Sequence, residues 1–321
     1  MIPWREAWHE ALYGAAGFYR STEGPAGHFA TSAHPPLGPV FAEAVLRYAA
    51  RLGLTRIVDV GCGRGELLLA LRTLDDSVEL TGVDVVERPA ALPDSIDWIR
   101  SPGGADLPAD LSGLTGTLAL ANEWLDVVPC TVAQVDEEHL LRTVLVDPLS
   151  GVESLGTTLV GDELAWADRW WPRREVGDRV EIGLDRDRAF ADLVDRVSTG
   201  TVIAVDYGHL MDDRPSGGTL TAYRAGLPTA PIADGSCDLT VHVAMDSLPG
   251  AIVVDQRTAI RDSGIASEHP PMELAHTDPA AYVEGLSRMG VVAQLTDPRG
   301  LGGFLWAIRH VPGGGPPDAA G

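Results

Sequence analysis

The sequence predicts an α/β fold of the doubly wound, Rossmann-like kind. Three observations carry that expectation: short apolar strand patterns alternate with helical runs, a glycine-rich turn joins one such strand to its helix, and two strand patterns close the chain. Phe41, Ala44, Val45, Tyr48 and Leu52 recur at helical spacing, with Gly53 placed to end the helix. A strand over 57–60, the turn over 61–65, and a helix carrying Leu67, Leu68, Leu71 and Leu74 come next, then strands over 78–83 and 117–121.

The pattern changes after Cys130. Residues 131–135 and 140–146 alternate across an Asp-Glu-Glu turn and predict an inserted antiparallel hairpin. Helical spacing resumes with Phe190, Leu193, Val194 and Val197, and an apolar strand over 201–205 ends in Asp206, Tyr207 and Gly208. Strands over 238–243 and 251–254, helices near 256–263 and 279–289, and closing strands around 291–295 and 304–308 complete the expectation. The domain organisation predicted is a cap segment over 1–38, a first Rossmann-like half over 39–129, an inserted hairpin and helical region over 130–182, the remaining core over 183–310, and a disordered Gly, Pro and Ala tail over 311–321.

Composition narrows the function. Of the 321 residues, 45% are hydrophobic and 22% charged, as in soluble globular proteins. The 24 basic residues are all Arg, and against 46 acids they leave a net charge of −22. Nucleic-acid binding is disfavoured, because neutralising phosphates takes a basic stripe. The acidity suits cationic partners, and equally reflects a compositional bias toward Asp and Arg. Cys62, Cys130 and Cys237 are far apart and form no C-x-x-C pair, so neither a disulfide framework nor a metal site is expected, and a reducing cytoplasm is. The first residues lack an apolar run, and no stretch reaches the roughly 18 apolar residues of a membrane span.

Chemistry concentrates at predicted strand ends. Gly61, Gly63 and Gly65 lie where a strand opens into a helix, so backbone N–H groups and a positive helix end meet there. A dinucleotide fingerprint needs glycine at position 66, which is Glu66, and this departure argues against NAD. The compact D-x-G-x-G-x-G form suits S-adenosylmethionine, which has no pyrophosphate to cradle. Asp84 ends the next strand, 21 residues past Gly63, where its carboxylate would accept from both ribose hydroxyls. Asp59 is placed to anchor the N–H groups of the turn.

Asn122, Glu123 and Asp126 follow the strand over 117–121. Two carboxylates there match the planar fork of a guanidinium, and one of them would take a proton; the alternative is a capped turn with acids on its first residues. Asp206 and Tyr207 stand at the corresponding edge of a neighbouring strand, and a plain turn is the other reading of that pair. Asp238, Thr240 and His242 alternate with apolar residues and so would share one face, which makes His242 either an oriented acid or base or a structural histidine.

Several blocks now agree in order with a known family: Ala11-Leu12-Tyr13-Gly14 with Gly17-Phe18-Tyr19-Arg20, Gly27-His28-Phe29-Ala30-Thr31-Ser32, the glycine loop, Asn122-Glu123-Trp124-Leu125-Asp126 with Pro129, Asp206-Tyr207-Gly208, Gly218-Thr219-Leu220 with Tyr223-Arg224, and Asp238 to Val243. The sequence resembles the MidA-like methyltransferases over about residues 11–309, and its mitochondrial relatives assist assembly of respiratory complex I. The resemblance implies a class I methyltransferase fold with S-adenosylmethionine as donor, the half over 39–129 binding it. For the mitochondrial members it implies methylation of a protein arginine, which makes a protein partner, such as a respiratory-complex subunit, the expected acceptor; a small-molecule methyltransferase, or an assembly factor that binds the donor without turnover, is the alternative reading. Carried over by position, it assigns Gly61, Gly63, Gly65, Asp84 and Asn122 to the donor, with Thr31 and Ser32 closing over it. Glu123 and Asp126 face the acceptor, and Asp206, Tyr207 and His242 are further catalytic candidates. One departure is the stretch after Tyr223-Arg224, which is trimmed to Ala225-Gly226-Leu227-Pro228.

Overall fold

The computed structural model describes residues 1–20 and 31–313. Seven strands form its central sheet: β1 (Arg56–Val60), β2 (Glu79–Asp84), β3 (Ile96–Arg100), β4 (Thr117–Asn122), β5 (Gly200–Asp206), β6 (Ile252–Asp255) and β7 (Leu305–Val311). Their order is β6-β7-β5-β4-β1-β2-β3. Strands β5, β4, β1, β2 and β3 run parallel, and β7 is antiparallel to both its neighbours. The chain leaves β1 toward β2 and β3 on one side and returns to β4 on the other. Between β1 and β4 the strand order therefore switches, and the crevice over their C-terminal ends is where such sheets bind ligands.

Side-chain alternation explains why the sheet is buried on both faces. Ile57, Leu118, Leu120, Ile203 and Val205 point to one layer, built on Phe41, Leu68, Leu71 and Trp306. Val58, Ala119, Ala121, Val202 and Ala204 point to the other, built on Phe190, Leu193 and Leu248. The helices that supply these layers include α2 (Gly38–Arg51) and α3 (Glu66–Leu74) on the first side and α5 (Leu184–Arg196) on the second.

The segment over 1–38 is less irregular than its Gly and Pro content suggests. It opens with Ile2–Pro3 paired to Leu145 and Val146, then helix α1 (Trp4–Tyr13). Trp4, Ala7, Trp8, Ala11 and Leu12 recur at helical spacing and are buried against Val132, Val144, Val146 and Leu239. Burying each tryptophan contributes at most about 5 kcal/mol, at roughly 200 Å² and 25 cal/mol per Å². The cap is thus bolted to the inserted region, whose four strands, with the hairpin Thr131–Val135 and Leu141–Val146 at the centre, make a five-stranded sheet with Ile2–Pro3, flanked in sequence by helix α4 (Gly161–Trp170).

Three expectations need correction. Residues 291–295 are the last turn of a helix, Pro279–Leu295, because Val291, Val292 and Leu295 lie on one helical face against the core; β7 pairs instead with β6. The strand expected over 238–243 is broken: Asp238–Thr240 pairs with Thr221–Arg224, while Val243–Ala244 pairs with Gly208–His209. Residues 311–313 of the expected disordered tail are described, with Val311 in β7, and 314–321 lie outside the described residues, as do 27–30 of the N-terminal block.

Candidate active site

A cleft of about 1180 Å³, counted out to its open mouth, lies over the β1 and β4 ends and is lined by residues from five parts of the chain. Its floor is the glycine turn. Gly61, Gly63 and Gly65 have φ of 72°, 60° and 83°, in the left-handed region that glycine alone occupies without strain. A Cβ at Gly65 would lie 2.9 Å from Leu92 Cδ1, and one at Gly61 would lie 3.3 Å from Trp124, so tight packing adds to the dihedral angle in disfavouring a side chain.

The N–H groups of the turn do not go to Asp59. Gly61 and Cys62 donate to Val83 O, Gly65 to Cys62 O, Arg64 to Glu66 Oε2, and Gly63 to Asp84 Oδ2 at 2.7 Å. Asp84 also accepts from Val86 N at 3.1 Å. It therefore buttresses the turn while facing the cleft, and burial raises its pKa to about 6 despite those bonds. Asp59 is 2% exposed, and burial, then the charge of Asp84, drives its pKa well up.

The wall opposite is built by the chain leaving β4. Glu123 N donates to Val205 O at 2.8 Å, and Glu123 itself adopts φ 53°, a strained conformation for a residue with a Cβ. That strain turns the carboxylate into the cleft beside Asn122, whose Nδ2 donates to Glu123 Oε1 at 3.2 Å. Burial, and then the neighbouring charge of Asp126, push Glu123 up to about 8. Asp126 follows in a short 3-10 turn, and its Oδ2 accepts from Thr240 Oγ1 at 2.8 Å and from the Tyr207 hydroxyl. Asp206 Oδ2 accepts from Leu125 N at 3.0 Å and so holds that turn to the end of β5. Burial drives Asp206 well above the carboxylate range, helped by Asp126.

Glu123, Asp126, Asn122, Asp84, Thr31, Gly61 and Gly63 are thus brought to one cleft, whereas Gly65 does not line it and packs against Leu92 and Leu68. Ser32 lies just behind: its hydroxyl accepts from Gln256 Nε2 at 3.3 Å, and its backbone N–H faces the Glu123 carboxylate. Asp206 and Tyr207 reach the cleft through the bonds they make to the 123–126 turn. His242 does not share a face with Asp238 and Thr240. The broken strand leaves it exposed, with its ring edge-on to Tyr207 at 5.3 Å, so Asp238 does not orient it.

Several residues at the cleft carried no sequence signal. Tyr13 and Tyr19 of the cap line it, their rings 5.5 Å apart, and Tyr19 Oη donates to Asp238 at 2.7 Å. Both sit in blocks quoted for the family resemblance, which was the one available pointer. Arg186 is 1% exposed on α5 and donates at 3.1 Å to the carbonyls of Asp126, Val128 and His242. Between Asp185 and Asp187 it reads in sequence as a solvated charge.

The cleft fits the expected donor on its own terms. Its floor leaves room for close approach of a ligand, and Asp84 offers carboxylate acceptors. The side-chain oxygen Asn122 Oδ1 is buried without a partner.

Comparison with known proteins agrees. Residues 84–261, more than half of the chain, match the family described as "Putative S-adenosyl-L-methionine-dependent methyltransferase", a span that includes the 122–126 turn, Asp206, Tyr207 and Asp238. A COG1565 superfamily member from Burkholderia thailandensis, crystallised with S-adenosylhomocysteine, superposes with a TM-score of 0.75 at 20% identity, over 96% of this chain and 87% of that one. A native crystal structure of an uncharacterized protein of the same superfamily and organism gives 0.70 at 21% identity, again over 96% and 87%. These two likenesses show the fold, a class I methyltransferase sheet. No curated protein matches the chain. The chain belongs to this family of S-adenosylmethionine-dependent methyltransferases, as its resemblance to the MidA-like proteins leads one to expect.

Proposed function

We propose that this methyltransferase transfers a methyl group to a guanidinium nitrogen of a protein arginine, with Glu123 and Asp126 as the acceptor-side carboxylates. The observation that carries the reading is the pairing, in one cleft, of the glycine turn and Asp84 with two carboxyl groups whose side-chain hydrogen-bond partners include no cation: Asn122 for Glu123, and Tyr207, Thr240 and the Asp206 carboxyl for Asp126. A guanidinium arriving there meets two carboxyl groups already oriented by those bonds, and its charge favours their ionised, accepting form.

The donor supplies an electrophilic methyl carbon on a sulfonium. Gly61 and Gly63 would admit it closely, with Gly65 holding the turn behind them, Asp84 would accept its ribose hydroxyls, and Asn122 and Thr31 would border it, with Ser32 supporting Glu123 from behind. Glu123 and Asp126 orient the acceptor nitrogen. As the new N–C bond forms and the S–C bond breaks, the nitrogen's proton passes to one of the two carboxylates. Asp206 and Tyr207 act through the turn and through Asp126, and His242 stands at the exposed rim. Three free, buried cysteines support a reducing compartment, the cytoplasm in this reading. Among the described residues no helix is long and apolar enough to cross a membrane.

The test is incubation of the purified protein with methyl-labelled S-adenosylmethionine and a lysate lacking its own copy, then acid hydrolysis of the labelled protein. Methylarginine is expected. Glu123→Gln is expected to bind the donor and to lose about 10²-fold or more of transfer. Label found only in small molecules overturns the arginine reading.

A further inference from the structure

The cleft is more acidic than a neutral ligand requires. Asp59, Asp84, Glu123 and Asp126 line it with Glu66, against Arg64 and His34. One oxygen in that lining, Asn122 Oδ1, is buried without a partner, on a residue 7% exposed, while Asp126 shares a hydrogen bond with the Asp206 carboxyl. A bare buried acceptor is costly unless a positively polarised atom meets it when the site fills. The family's donor and its spent form differ mainly in this respect, since S-adenosylmethionine carries a positive sulfur and S-adenosylhomocysteine a neutral thioether.

We propose that the cleft tells donor from product by charge, with Glu123 and Asp126 making the distinction, and that the charged form binds with release of a proton from this pair. The inference rests on the donor reading of the cleft.

In the free protein Glu123 has too many negative neighbours to ionise readily. Asp126 lies on its own turn, Asp238 on the neighbouring three-stranded sheet, and Asp206 at the end of β5. Arg186 of α5 offsets them in part through Asp126 and Asp206. The remaining groups around the pair are Tyr13 and Tyr19 of the cap, Tyr207 and Thr240, with Asp59, Asp84, Cys62, Glu66, Arg64 and His34 along the cleft and His242 beyond Tyr207. Burial holds the Glu123 proton up to a pH of about 8. A cation entering the cleft favours the ionised carboxylate and expels that proton, whereas a neutral thioether does not. Transfer removes the charge from sulfur, so the attraction that held the donor is absent for the product.

Calorimetry on the full chain tests this with three probes: S-adenosylmethionine, S-adenosylhomocysteine, and an analogue bearing an amine in place of the methylsulfonium. Each is titrated at pH of about 6.5 and about 8.5, in buffers of differing ionisation heat. At the higher pH the two charged ligands are expected to bind about tenfold tighter than S-adenosylhomocysteine, a gap of about 1.4 kcal/mol. At the lower pH the gap is expected to shrink, and the buffer dependence of the heat reports the released proton. Glu123→Gln is expected to narrow the gap and abolish the extra proton; the ligands' own α-amino groups titrate near 8 in both proteins, so the difference isolates Glu123. Equal affinities at both pH values, or a preference unchanged by Glu123→Gln, overturn the inference while leaving the donor site intact. Failure of all three ligands to bind overturns the donor reading with it. The wild-type pH series needs no variant to fold.

Discussion

Replacing Asp238 by Asn separates the cost of burying a carboxyl from the worth of its hydrogen bond. Asp238 is 2% exposed and accepts from Tyr19 Oη at 2.7 Å. Burial pushes it up to about 8, opposed by the Tyr19 bond and reinforced by the charge of Asp126. The folded state therefore holds this proton more tightly than the unfolded chain does. The stability it contributes is complete below the ordinary carboxylate range and is lost as pH rises toward about 8. At about 1.4 kcal/mol per pH unit, the wild type loses about 3 kcal/mol through this one group between pH of about 5.5 and about 8. Asn does not titrate and escapes that loss, while its amide gives up about 1 kcal/mol of hydrogen bonding at every pH. Counted from the ordinary carboxylate range, about 2 kcal/mol is already lost by pH of about 5.5, so Asp238→Asn is expected to be more stable than wild type by about 1 kcal/mol there and by about 4 kcal/mol at about 8. Urea unfolding across the pH range measures it, and the informative quantity is the slope of the stability difference, which a packing defect alone leaves flat. A flat difference from about 5.5 to about 8 would refute the reasoning, since it would mean that Asp238 ionises in the folded protein as it does in the unfolded chain.

Two further substitutions probe the same architecture. Asp84→Ala removes the acceptor of Gly63 N and Val86 N together with the carboxylate proposed for the donor's ribose, so calorimetry is expected to show S-adenosylmethionine binding about tenfold weaker or worse, with about 1–2 kcal/mol of stability lost as well; unchanged affinity removes Asp84 from the donor site. Arg186→Met leaves three buried carbonyls without their donor and Trp8 without the guanidinium 5.7 Å above its ring. A loss of about 3 kcal/mol in chemical denaturation is expected. Because Arg186 holds down the pKa of Asp126, Asp206 and Asp187, the deficit should widen as pH rises above the ordinary carboxylate range. A loss under about 1 kcal/mol, independent of pH, would show that the carbonyls find other donors.

What was legible in the chain follows from where burial is uniform. Strands β1, β4 and β5 are covered on both faces, so each reads as a mainly apolar run, broken in β1 by the buried Asp59, and is located to within a residue or two. Strand β3 was missed: Ile96–Arg100 carries Asp97 and Arg100 and sits at the sheet edge, where one face is open to water and the apolar run breaks. The stretch over 291–295 was misread because Val-Val-Ala-Gln-Leu has strand-forming residues, whereas its buried positions, 291, 292 and 295, keep helical spacing.

The sequence by itself determined the sheet, the glycine turn, the donor class and the places where carboxylates leave the strands, because each is a local pattern in which neighbours along the chain supply the geometry. Only the tertiary structure decided which of those groups share a cleft. It put Asp84, rather than Asp59, under the turn; it set Asp206 and Tyr207 behind the 123–126 turn and His242 outside; and it brought Tyr13 and Tyr19 of the cap to the cleft and Arg186, 60 residues from Asp126 in the chain, behind the 123–126 turn. Such contacts depend on how the cap, the inserted sheet and the core pack. A buried arginine on carbonyl oxygens and a tyrosine on a protonated carboxyl leave no periodicity behind, because burial there is made by distant segments and not by the residues alongside.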